Sequence, residues 1–169
     1  MLPAVLHGKK YAQIEFGEDG NLIQIDMYHN EQIQRRNIYD DRGFVSSTIL
    51  YEDAKPVYQD YLTEKGMWKI RHFFEDGHVE VNPKYTTYLM MIGEKEELYH
   101  FKQLEYSSLE SVIAEVLTTY LSLLDEKDIF CVAMAKQHTN LLRIALKDRN
   151  TVLSFFENRF DSVNNEGAL

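Results

Sequence analysis

Four groups of residues carry side chains able to do chemistry. His72 and His78 flank the turn Phe74-Glu75-Asp76-Gly77 and, with Glu80, would offer two imidazoles and a carboxylate to a divalent cation. Their spacing matches no zinc signature, and an imidazole on a strand surface is the commoner outcome. Asp40-Asp41 and Glu75-Asp76 are carboxylate pairs of the kind general acid–base catalysis uses, yet adjacent turn carboxylates ordinarily bond their own backbone. Cys131, the single cysteine, sits in the apolar run Ile129-Phe130-Cys131-Val132-Ala133, which reads as an inert buried thiol and excludes an internal disulfide. His138 and Asn140 stand where a strand hands over to a helix, the side of an open α/β sheet on which sugars and phosphates bind. Thr139 and Asn140 are also good helix N-caps. Neither a Walker loop nor a G-x-G-x-x-G fingerprint occurs, so no nucleotide or other cofactor is expected.

The elements that would hold these residues follow two periods. Phe16, Tyr28, Tyr39, Tyr51, Tyr61 and Phe74 each precede an acidic or Asn-containing turn, at spacings of 12, 11, 12, 10 and 13 residues. That is the rhythm of strands joined by tight hairpins. Ile23, Ile25 and Met27 alternate onto one side; so do Val45, Ser47, Ile49 and Tyr51, and again Trp68, Ile70, His72 and Phe74. The opposite sides are not cleanly polar, since Phe44 and Leu50 bracket Ser46 and Thr48. One meander offers no second layer to cover both faces, so an extended sheet with one partly wet face is expected. Tyr39, Tyr51, Tyr58 and Trp68 beside Ser46 and Thr48 would make a stacking surface for sugar rings or a low-complexity peptide, with His138 and Asn140 as further candidates. Asn82-Pro83 should end the regular meander, and the runs Lys84 to Ile92 and Glu97 to Gln103 read as one more hairpin.

At Ser107 the period changes. Ser107-Ser108-Leu109-Glu110 is a capping-box pattern, and Leu109, Val112, Ile113, Val116, Leu117, Tyr120, Leu121 and Leu124 recur at helical spacing. A strand at Ile129 to Ala135, a second helix from Thr139 to Lys147 and a strand at Thr151 to Phe156 complete an αβ alternation. The expected fold is α+β: an extended antiparallel β-meander over residues 7–103, then a partial Rossmann-like α/β segment over 104–157 with two helices and two parallel strands, and a disordered tail over 158–169. Two helices cannot cover both faces of such strands, so the last strand should present an edge for a partner or a second copy.

The chain carries 18 basic and 27 acidic residues, a net charge of −9, which disfavours a phosphate backbone or an anionic membrane as partner. Nucleic acid is not expected. The start, Met1-Leu2-Pro3-Ala4-Val5-Leu6, lacks the positive leader of a secretory signal, and no apolar run is long enough to cross a bilayer. A cytoplasmic protein without membrane insertion is the expectation.

Tyr39-Asp40-Asp41-Arg42-Gly43-Phe44-Val45-Ser46-Ser47, Val57-Tyr58-Gln59-Asp60-Tyr61-Leu62 and Gly77-His78-Val79-Glu80-Val81-Asn82-Pro83, with Gly20-Asn21-Leu22-Ile23, Asp128-Ile129-Phe130 and Leu153-Ser154-Phe155, resemble the first of the accessory secretory proteins of the bacterial accessory Sec system. The resemblance implies a GT-B glycosyltransferase-like architecture, two Rossmann-like domains with an extended β-sheet domain inserted in the first, without the donor-sugar machinery. It implies a non-catalytic cytoplasmic component, peripheral to the membrane translocon, that helps export serine-rich O-glycosylated adhesins. Its implied partners are the other accessory secretory proteins, the accessory SecA motor and the glycosylated Ser-rich substrate. Family chains are much longer, so this one resembles a fragment. The competing reading is a piece of an active GT-B glycosyltransferase whose extended sheet binds the acceptor polypeptide.

Overall fold

The structure, a computed structural model, describes residues 2–92, 95–123, 130–134 and 153–157. Eight hairpin-linked strands come first: β1 (Leu2–Leu6), β2 (Lys9–Phe16), β3 (Leu22–His29), β4 (Gln32–Tyr39), β5 (Val45–Glu52), β6 (Lys55–Leu62), β7 (Trp68–Phe73) and β8 (Val79–Val81). They are followed by β9 (Thr87–Ile92), β10 (Lys95–His100), β11 (Glu105–Tyr106), α1 (Leu109–Ser122), β12 (Phe130–Met134) and β13 (Leu153–Glu157). The chain divides into two compact units, Met1–Met91 with Glu96–Leu109, and Ile92–Lys95 with Glu110–Leu169.

The first unit is built on a nine-stranded antiparallel sheet in the order β1-β2-β3-β4-β5-β6-β7-β8-β11. Up to β8 this is a pure meander, because every connection is too short to do anything but turn back on its neighbour. The expected turns are all present, but they sort into two kinds at a stricter period than the aromatic spacing suggested. His7-Gly8, Asn30-Glu31 and Asp53-Ala54 are two-residue turns with both members at positive φ, the backbone that matches the twist of the flanking strands. Gly17–Asn21, Asp40–Phe44 and Thr63–Met67 are longer turns, in each of which the first residue's N–H donates to the last carbonyl and a Gly N–H donates back to the first carbonyl. Gly20, Gly43 and Gly66 stand 23 residues apart, as do Gly8, Glu31, Ala54 and Gly77. The meander is therefore a 23-residue repeat of two strands each, with short turns at one end of the sheet and glycine turns at the other.

Each hairpin from β1–β2 to β6–β7 also carries one register shift. The skipped residues are Tyr11, Ile23, Gln34, Ser46, Val57 and Lys69, always on the strand that follows the turn and again repeating at 23. A bulge adds twist and moves the residues beyond it to the other face. This is why the sequence alternation looked impure, and it changes two expectations: Val45, paired with Tyr39, does not share a side with Ser47, Ile49 and Tyr51, and Trp68 does not share a side with Ile70 and His72. Skipping Lys69 pairs Trp68 with Leu62, and its ring lies 4.9 Å from the Arg71 guanidinium.

Ala54 sits at φ 61°, left-handed backbone that a Cβ disfavours, whereas Gly43 at φ 89° has open space where a Cβ would go. Both sites are left-handed, so backbone conformation alone sets the sign of each change. Ala54→Gly is expected to stabilise by about 0.5–1 kcal/mol and Gly43→Ala to destabilise by about 1 kcal/mol, read from urea midpoints.

Burial is uneven along the array. Among described side chains of β1 to β6 only Ala12, Asp26, Ser47 and Thr48 are buried. The apolar core gathers at the far end, where Val79 and Val81 of β8, Tyr88 and Met90 of β9, Phe101 in the link after β10 and Tyr106 of β11 are all enclosed. The Phe101 ring lies 4.8 Å from Tyr88 and 6.4 Å from Tyr106 between centroids. Pro83 does end the run: Asn82 turns the chain by bonding the Lys84 N–H and the Trp68 carbonyl at 3.0 and 2.8 Å.

In the second unit the capping-box helix is α1, which buries Val112 and Leu121. β12 and β13 pair in parallel, Phe130 opposite Leu153 through Met134 opposite Glu157, as their continuous apolar sequences imply. The second helix, the residues linking these elements and the tail lie outside the described residues.

Candidate functional site

The site residues expected from sequence separate once the register is known. On β4, Tyr39 alternates with Asn37, which pairs with Thr48, and Leu50 beside Thr48 on β5 pairs with Tyr58. Tyr39, Thr48 and Tyr58 therefore share a face, and the bulge at Lys69 brings Trp68 to it. Tyr51 alternates with Ser47 and Ile49 onto the opposite face. Ser46 is itself bulged and its hydroxyl donates to the Ile38 carbonyl at 3.2 Å; the Thr48 side chain is buried. His138 and Asn140 lie outside the described residues.

Sequence reasoning missed the centre of this face. Arg71 forms a two-point ion pair with Asp60, directly opposite it, at 2.7 and 2.9 Å. The same guanidinium lies 4.1 Å from the Tyr58 ring, so two aromatic rings and a carboxylate hold one cation rigid. The carboxylate raises the Arg71 pKa. On the other face Arg36 pairs with Asp26 at 2.7 and 2.8 Å and is likewise raised, principally by the hydrogen bonds it donates to that carboxylate. Burial alone pushes the Tyr61 phenol up and the Lys69 ammonium down.

The other candidates are engaged locally. Asp40 bonds both the backbone and the side chain of Arg42, and these contacts hold its carboxyl well below the usual range. A depressed carboxyl contributes its full stability above its unfolded pKa of about 4 and loses it progressively as pH falls from there through the lower folded value. The Asp40 carboxyl is therefore expected to remain ionised at about pH 3, checked by its side-chain carboxyl carbon shift in an NMR acid titration. Asp76 accepts a 2.5 Å contact from the His78 ring, which lowers its pKa, and that ring stacks on Phe73 at 4.1 Å. Glu80 pairs with Arg71 and His72 with Val79, so Glu80 and His72 occupy opposite faces of the sheet. Among the described residues no group of three His, Cys, Asp or Glu side chains is placed to hold a metal.

A bulged, single-layer hairpin array bearing paired ions and rings, followed by a parallel strand pair, defines a surface-presenting module. Comparison with known proteins assigns it. The model of the accessory Sec system protein family of accessory secretory protein 1 matches residues 4–168, and the chain belongs to that family. Its curated relative from Streptococcus gordonii is 37% identical over 94% of this chain and 29% of its own length. That from Staphylococcus aureus (strain NCTC 8325 / PS 47) is 27% identical over 98% of this chain and 30% of its own. The chain spans under a third of these relatives. Among solved structures, the crystal structure of accessory secretory protein 1, 2 and 3 from Streptococcus pneumoniae is similar at TM-score 0.71 and 36% identity, covering 89% of this chain and 29% of that one. The GtfA/B complex bound to UDP and GlcNAc aligns at TM-score 0.63 and 15% identity, covering 91% of this chain and 31% of that one, a likeness of fold alone. No helix among the described residues is long and apolar enough to cross a membrane.

Proposed function

We propose that this chain belongs to a non-catalytic component of the accessory Sec export system for serine-rich repeat glycoprotein adhesins, and that its sheet works by binding proteins. The observation that carries this reading is the 36% identity and TM-score of 0.71 to a structure of accessory secretory proteins 1, 2 and 3. The partners are the other accessory secretory proteins and the accessory SecA motor, with the glycosylated Ser-rich substrate as a further ligand of the Tyr39, Tyr58 and Trp68 face. The place of action is the bacterial cytoplasm, peripheral to the translocon. Residues 7–103 act as the extended sheet domain and 104–157 as part of a Rossmann-like layer; exposed sheet edges serve association, including with a second copy.

A second reading, a fragment of an active GT-B glycosyltransferase whose sheet binds the acceptor, has one observation in its favour, the likeness of fold to the GtfA/B complex. Two measurements on the full-length parent separate them. Co-purification with the other accessory secretory proteins and no transfer from sugar nucleotides is expected; measurable sugar transfer would overturn the non-catalytic reading.

A further inference from the structure

We infer that the meander is a one-dimensional array that opens hairpin by hairpin from its β1 end, with the β7–β8 end as its anchor. In a repeat array each unit touches only its neighbours, so stability is a sum of local terms and need not be lost all at once. The 23-residue recurrence of turns and bulges makes every hairpin such a unit. The local terms differ strongly along it. β1 carries no charged side chain, and Leu2 and Val5 are each 60% exposed, so only backbone bonds and weak packing hold it to β2. β3 and β4 add the Asp26–Arg36 pair. β6 and β7 add Asp60–Arg71 with its two rings, and β8 adds Val79 and Val81, both essentially inaccessible. Opening therefore proceeds from the end with the fewest anchors, and leaves the core-bearing end folded.

Amide hydrogen exchange on the 169-residue chain tests this. Val5 and Tyr11 amides are expected to exchange at least about 100-fold faster than those of Val79 and Val81, with β3–β4 between them. Asp26→Asn should then accelerate exchange in β1 to β4 and leave β7 and β8 unchanged. Equal protection from β1 to β8, or an Asp26→Asn effect of equal size at both ends, would mean one cooperative unit and overturn the array. So would global unfolding of the variant. Preserved protection at β7–β8 in a variant whose β1–β4 exchange is unmeasurably fast would support it.

Discussion

Phe101→Ala is expected to lower stability by about 3–4 kcal/mol, seen as a fall in the urea midpoint without a change in slope. Phe101 is 8% exposed and packs edge-on to Tyr106 and tilted against Tyr88, so truncation removes a whole ring from the apolar cluster at the β8 end. Its backbone N–H donates to the Thr86 carbonyl at 2.9 Å and survives the change, so the loss measures packing. Leu98, at 68% exposed, is the control: Leu98→Ala should stay within about 0.5 kcal/mol of the parent. Equal losses at the two positions would mean that the core is not where the burial places it.

Asp60→Ala is expected to cost about 2–3 kcal/mol, because it strands the Arg71 guanidinium between two rings with its side chain only 24% exposed. The penalty belongs to the unpaired cation more than to the lost attraction. Replacing both partners, Asp60→Leu with Arg71→Leu, should therefore recover more than half of it. Glu64→Ala supplies the contrast. Glu64 pairs with Arg42 at 3.0 Å, but the two side chains are 69% and 64% exposed, and the change should be worth under about 0.5 kcal/mol. A double-mutant cycle on Asp60 and Arg71, followed by chemical denaturation, reads the coupling directly.

The array was largely legible from residues. Turn composition is a local property: Gly at 20, 43 and 66 and the Asn or Asp of the short turns mark where backbone with positive φ is needed, whatever the strands pack against. The helix start at Ser107-Ser108 was legible for the same reason, since a cap acts over three or four residues. The parallel pairing of β12 and β13 followed from two continuous apolar runs.

The face that carries Asp60, Arg71 and Trp68 was not legible, and the bulges are the reason. Strict alternation about the Thr63–Met67 turn sets Asp60 opposite Ile70; skipping Lys69 moves the partner on by one residue, to Arg71. The same step carries Trp68 across the sheet. A one-residue shift inverts every side chain beyond it, and no residue type announces where it falls, since Tyr, Ile, Gln, Ser, Val and Lys all occupy the bulged position.

The amino-acid sequence by itself determined the number and placing of the hairpins, the change to helical period and the family, because each rests on short-range backbone preference or on motif identity. Only the tertiary structure decided which side chains face one another, where the core collects and which ion pairs bridge neighbouring strands. Those depend on cross-strand register, a relation between residues on different strands that local chemistry does not encode.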